Sequence, residues 1–176
     1  TILAATATNP STCAGTNGSI VFATTNLPDG TYSLAFTGAG SPKPIMVSAN
    51  AFTLSGLSAG TYSNFSITNN NCIGNDTTVK TLIDPALPNA GVISGTLVLC
   101  AGTVTSLTSN GVSGGIWSTG KPSVATINTG TGIATGIAPG SSTITYTVTL
   151  NGCTGSTTAV LTVDSVSVGG SISGSI

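Results

Sequence analysis

Large apolar residues recur at every second position in two stretches of the chain. In residues 31–37, Tyr32, Leu34 and Phe36 alternate with Thr31, Ser33, Ala35 and Thr37. In residues 143–150, Ile144, Tyr146, Val148 and Leu150 alternate with Thr143, Thr145, Thr147 and Thr149. A period of two turns one set of side chains to a core and the other to water, so both stretches read as β-strands. Shorter strand candidates occupy residues 19–24, 45–48, 52–54, 64–68, 78–83, 96–99, 104–108, 115–118 and 159–163. Turn signals separate them: Pro28-Asp29-Gly30, Ser58-Ala59-Gly60, Asn110-Gly111, Pro139-Gly140 and Asn151-Gly152. No stretch carries the period of an amphipathic helix. Many short strands with regular turns predict an all-β chain built of β-sandwiches.

The segment Asp84-Pro85-Ala86-Leu87-Pro88-Asn89-Ala90-Gly91 interrupts the pattern. Its two prolines exclude a central strand and favour an extended connector. Two sandwiches are therefore expected, over residues 1–85 and 86–165, elongated and end to end. Residues 166–176 are expected to open a further repeat or to serve as a linking strand. At one constant offset, Gly91, Ile93, Ser94 and Gly95 match Gly170, Ile172, Ser173 and Gly174, as they would in a tandem array.

Composition narrows the function. The 176 residues include 32 Thr, 23 Ser and 24 Gly, with three Lys and four Asp as the only charged side chains. Glu, Arg, Gln and His are absent, which removes the imidazole base, the Glu acid and the guanidinium phosphate clamp. A net charge of −1 does not suit nucleic acid, whose binding draws on many Lys and Arg. Disorder is equally excluded, since 39% of the residues are apolar and there is almost no charge to keep the chain open. No uninterrupted apolar stretch approaches the ~18 residues of a membrane helix, so no membrane span is expected. The chain begins at Thr1 without a signal-like apolar region, as a mature product or an internal fragment would.

With 5% aromatic residues, cores of this size need reinforcement. Cys13, Cys72, Cys100 and Cys153 supply it in one of three pairings. The pairing that keeps each bridge inside one half is Cys13–Cys72 with Cys100–Cys153, and that pairing is expected. Bridges imply an oxidising compartment, hence secretion or display at a cell surface.

Residues 6–84 resemble the repeats of gliding-motility adhesins and other giant surface proteins of the Bacteroidota. The resemblance rests on Cys13-Ala14-Gly15-Thr16-Asn17-Gly18-Ser19-Ile20, on Gly30-Thr31-Tyr32-Ser33, and on Gly56-Leu57-Ser58-Ala59-Gly60-Thr61-Tyr62 running toward Asn71-Cys72. The usual repeat has Gly-Gly-x-x-Pro-Tyr after its first strand, where this chain has Asn26-Leu27-Pro28-Asp29-Gly30-Thr31-Tyr32. Residues 90–164 resemble a bacterial Ig-like domain of group 2, as in intimin-like adhesins. The matching elements are Trp117-Ser118, Pro122-Ser123-Val124-Ala125-Thr126-Ile127, Gly132-Ile133-Ala134-Thr135-Gly136-Ile137-Ala138-Pro139-Gly140 and the alternating strand that follows. Both resemblances imply Ig-like sandwiches, and Trp117 is the large core anchor of the second. They also imply type IX secretion and a role as spacer or adhesion unit.

Few residues carry candidate chemistry. Asp29, Asp76, Asp84 and Asp164 are too dispersed for a tight Ca²⁺ site, and neither metal nor cofactor is expected. Lys43, Lys80 and Lys121 are the only candidates for an intramolecular isopeptide bond, without a Glu to assist it. Asp76-Thr77-Thr78 and Asp164-Ser165-Val166 resemble the short acceptor motif for O-glycosylation in Bacteroidota, naming Thr77 and Ser165. The expected function is a repeat segment of a large extracellular adhesin or filament, non-catalytic, with neighbouring copies as partners and surface glycans or other cells as further ones. The alternative is a carbohydrate-binding or accessory module of a secreted polysaccharide-degrading enzyme, which would be expected to expose several aromatic rings.

Overall fold

The computed structural model describes residues 1–165, and among them every regular element is a strand. Two compact units result. The first comprises Thr1–Ala86 with Asn151–Cys153, and the second comprises Leu87–Leu150 with the described residues from Thr154 on. The three residues Asn151–Cys153 thus join the first unit, although the sequence expectation placed them in the second. The expected further repeat at 166–176 lies outside the described residues.

The first unit holds β1 (Ile2–Thr8), β2 (Gly18–Thr24), β3 (Gly30–Thr37), β4 (Lys43–Val47), β5 (Ala51–Leu57), β6 (Gly60–Asn69), β7 (Cys72–Asp76) and β8 (Lys80–Leu82). One sheet runs β1-β2-β5; the other runs β4-β3-β6-β7, with β8 also paired to β6. All these pairings are antiparallel. The inward residues of both sheets form one core, Ile20, Phe22, Phe52 and Leu54 from the first against Leu34, Phe36, Phe65 and Ile67 from the second. Phe22 and Phe52 face each other in register and stack at 4.6 Å. Phe65 meets Phe22 edge-on at 4.8 Å across the sandwich. Each such pair contributes about 0.5–1.5 kcal/mol beyond the apolar area it buries.

Strand β5 shows how the sequence keeps its core in phase. Phe52 and Leu54 point inward with period two, and Leu57 would fall on the wrong face. An extra residue at Gly56, with φ of +70°, shifts the register against β2 and returns Leu57 to the core. A side chain there would be strained, so glycine is required. The bulge turns two carbonyls away from the ladder, and Lys43 Nζ donates to both, Ser55 O at 3.0 Å and Gly56 O at 2.8 Å.

The second unit holds β9 (Ile93–Ser94), β10 (Val98–Cys100), β11 (Val104–Ser106), β12 (Thr108–Ser109), β13 (Ile116–Thr119), β14 (Ala125–Ile127), β15 (Ile133–Gly136), β16 (Gly140–Leu150) and, apart from its first residue, β17 (Cys153–Asp164). Its larger sheet runs β10-β17-β16-β13, with β10 parallel to β17, and a second sheet runs β11-β15-β14. A two-stranded ribbon pairs β12 with β9. Between the sheets, Trp117, Ile144, Tyr146, Val148, Leu161 and Val163 pack on Leu107, Ala125 and Ala134. Both units are Ig-like β-sandwiches.

Two strand corners of the first unit share one device. Pro28-Asp29-Gly30-Thr31-Tyr32 and Ser58-Ala59-Gly60-Thr61-Tyr62 each end on a tyrosine that reaches back along its own chain. Tyr32 Oη donates to Pro28 O, and Tyr62 Oη donates to Ser58 O, each at 3.0 Å and each four residues back. This is the geometry of the tyrosine corner that marks Ig-type sandwiches.

Candidate functional site

The four cysteines do not pair within the two sequence halves. Cys13 is bonded to Cys153, with 4.9 Å between their Cα atoms, inside the range a disulfide spans without moving the backbone. Cys72 and Cys100 are free thiols, and both are exposed. The expected Cys13–Cys72 and Cys100–Cys153 bridges are therefore corrected. The physical cause lies in the turn between β16 and β17. Asn151 and Gly152 bring that turn to the segment between β1 and β2, where Cys13 N donates to Asn151 O at 2.9 Å. Cys153 is then 1% exposed. Cys72 stands at the exposed start of β7, and Cys100 follows the inward Leu99 and so turns outward. The Pro85 carbonyl oxygen lies 3.7 Å from the Cys13 sulfur and 3.4 Å from that of Cys153. These are packing contacts, since neither bonded sulfur carries a proton, and they cover the bridge.

Trp117 lies in the core of the second unit, 5% exposed, with its ring 4.6 Å from that of its cross-strand partner Tyr146. Tyr146 Oη accepts from Gly115 N and donates to Val112 O, both at 2.9 Å. A Cβ at position 115 would stand 2.5 Å from the Tyr146 ring, so only glycine allows this approach. The neighbouring buried Ser142 has a comparable role: its hydroxyl is 2.7 Å from that of Thr119 and accepts from Lys121 N at 2.9 Å. Neither these hydroxyl networks nor the paired tyrosine corners were read from the sequence. The recurrence of Gly-Thr-Tyr-Ser at 30–33 and 60–63 was the signal available for the corners.

Two of the four carboxylates bind backbone amides. Asp29 Oδ1 accepts from Ala49 N at 3.1 Å. Asp76, 7% exposed, accepts from Thr78 N at 2.8 Å. Asp84 and Asp164 are exposed. Among the described residues no group of three or more His, Cys, Asp or Glu comes together in a way that would hold a metal ion. Thr77 and Ser165, the residues of the glycosylation motifs, are both exposed. A groove of about 300 Å³ opens in the first unit among Thr1, Ile2, Thr25, Leu27, Ile67 and Ile73, with Cys72 on its wall. Its lining side chains bear no carboxylate and no ammonium. No helix among the described residues is long and apolar enough to cross a membrane.

No protein-family model and no curated protein matches the chain. Solved structures do. The chain is similar to the C-terminal 282-residue fragment of intimin, solved in complex with the intimin-binding domain of the translocated intimin receptor. That match has 16% identity and a TM-score of 0.35, and covers 90% of this chain and 63% of the fragment, so this chain spans less than two thirds of it. It is similar to titin domains Z1Z2, solved in complex with telethonin, at 14% identity and a TM-score of 0.36, over 95% of this chain and all of that one. A third match is domains 1–6 of the surface layer protein SbsC, at 14% identity and a TM-score of 0.32, covering 94% of this chain and 27% of that one.

Proposed function

We propose that the chain is a repeat segment of a large extracellular adhesin or filament, structural and adhesive in role and without catalysis. The observation that carries this reading is how each sandwich uses its chemistry. The aromatic rings and the three tyrosine hydroxyls are committed to the fold itself, in the core and the strand corners. What faces water is mainly Thr and Ser, with scattered aliphatic side chains and almost no charge. The carbohydrate-binding alternative loses its main support for the same reason. Trp117, Tyr62 and Tyr146 are buried, and the hydroxyl of half-buried Tyr32 is bonded to its own corner. Stacking on a sugar needs exposed faces.

The Cys13–Cys153 bridge fits an oxidising location. The proposal therefore includes export to the cell surface, by type IX secretion in a member of the Bacteroidota as the sequence resemblance implies. Its partners are neighbouring repeats or copies, and beyond them surface glycans or other cells. Thr77 and Ser165 are the proposed O-glycan acceptors. Immunogold electron microscopy of native cells, with denaturing gels of the same material, tests this reading. Labelled surface fibres are expected. Their gel band should run far above the 17.0 kDa of this chain, or single chains of that mass should be found assembled into filaments. An intracellular monomer of this chain alone overturns the reading.

A further inference from the structure

We propose that the Cys13–Cys153 bridge is a tension-bearing clasp that takes force off most of the chain. The reason is topological. Any pull transmitted through an array enters this chain at one end and leaves at the other, and it follows the shortest covalent path between them. The bridge joins two residues separated by 140 positions. Force therefore runs through residues 1–13, crosses the sulfurs and leaves through residues 153–176. Strands β2 to β16 lie inside the closed loop, so the covalent line of force bypasses their backbone. Among the described strands only β1, paired to β2, and β17, held between β16 and β10, stand in the line of force. The bridge is covered within the first unit, with Cys153 buried and Pro85 lying against both sulfurs.

The consequence is a sharp limit on extension. A fully unfolded chain of 176 residues closed by this bridge presents only about 36 residues to a stretching force. At ~3.5 Å per residue that is roughly 125 Å of contour, against roughly 600 Å without the bridge. Bridges confined to each sequence half, Cys13–Cys72 and Cys100–Cys153, would instead leave about 64 residues, or roughly 225 Å. The three cases are distinguishable by a single length measurement.

That tension is the natural load rests on the array reading above; the shielding itself does not. The test is single-molecule stretching of the whole chain between terminal peptide handles, with and without a phosphine reductant. A contour of roughly 125 Å is expected without reductant and roughly 600 Å with it. A Cys72→Ser/Cys100→Ser variant should behave identically, whereas adding Cys13→Ser should give the long contour under both conditions. The unmodified protein, kept folded until it is pulled, makes the test independent of whether that last variant folds. A contour of roughly 225 Å, or of roughly 600 Å, measured without reductant overturns the proposal. Failure of the array reading would appear separately, as native material without fibres, and would leave the measured contour unchanged.

Discussion

Replacing Cys13 by Ser should destabilise the protein far more than replacing either free cysteine. The bridge closes a loop of 140 residues, and the chain-entropy relation gives it a ceiling of about 5 kcal/mol at 25 °C. Measured losses for native bridges run from about 2 to 5 kcal/mol, and Cys13→Ser is expected in that interval. It should also increase the dependence of stability on urea, because an unclosed chain exposes more surface when it unfolds. Cys72→Ser and Cys100→Ser change exposed side chains that bear no bridge, so each should stay within about 0.5 kcal/mol of the parent. If the bridges instead lay within the sequence halves, loops of just over fifty residues would make each of those substitutions cost about 4 kcal/mol. Equilibrium urea titrations, followed by far-UV circular dichroism and by the fluorescence of Trp117, measure all three. A loss above about 2 kcal/mol for Cys72→Ser or Cys100→Ser, or a loss below about 0.5 kcal/mol for Cys13→Ser, would refute the reasoning.

Tyr62→Phe removes a buried corner hydrogen bond and should cost about 1–1.5 kcal/mol in the same titration, while Tyr32→Phe, at a half-buried corner, should cost about 0.5 kcal/mol. Gly115→Ala drives a methyl group into the Tyr146 ring and should cost about 1–3 kcal/mol, with an altered Trp117 emission spectrum in the folded state. Maleimide labelling of the native protein without reductant should modify Cys72 and Cys100 and spare Cys13 and Cys153, as peptide mapping would read out. Mass spectrometry of native material should find glycan mass on the peptides holding Thr77 and Ser165, and Thr77→Ala should remove it from the first.

The alternation that defines β3 and β16 was plain in the sequence because large apolar residues mark every inward position. The first eight residues were not, since Ile2 is the one large side chain that β1 gives to the core. Much of β17 was missed for a similar reason. Gly155, Ser156, Thr157 and Thr158 are too small to mark a face, yet β17 runs from Cys153 to Asp164 because its neighbours β16 and β10 supply the ladder. The prolines at 85 and 88 mark the division between the units. The bridge was beyond reach: spacing permits three pairings, and only the place where the β16–β17 turn comes to rest selects among them. A rule that kept bridges within halves failed because three residues of the second half pack in the first unit.

A chain with so few charges can form few ion pairs, and it secures its strand ends largely with neutral donors and acceptors. Tyr62 ties a corner to Ser58, Tyr146 ties β16 to Val112 and Gly115, and Ser142 joins Thr119 to the backbone of Lys121. Even the Lys43 ammonium is bonded to two backbone carbonyls. Exposed ion pairs weaken as salt screens them, and histidine contacts switch as pH passes through the neutral range. Hydrogen bonds between hydroxyls and peptide groups carry neither dependence. A chain without Glu, Arg and His thus relies little on contacts that salt or neutral-range pH would alter, and the disulfide adds a cross-link that neither dissolves. Such a composition fits the proposed role of bearing tension outside the cell, where salt and pH lie beyond the cell's control.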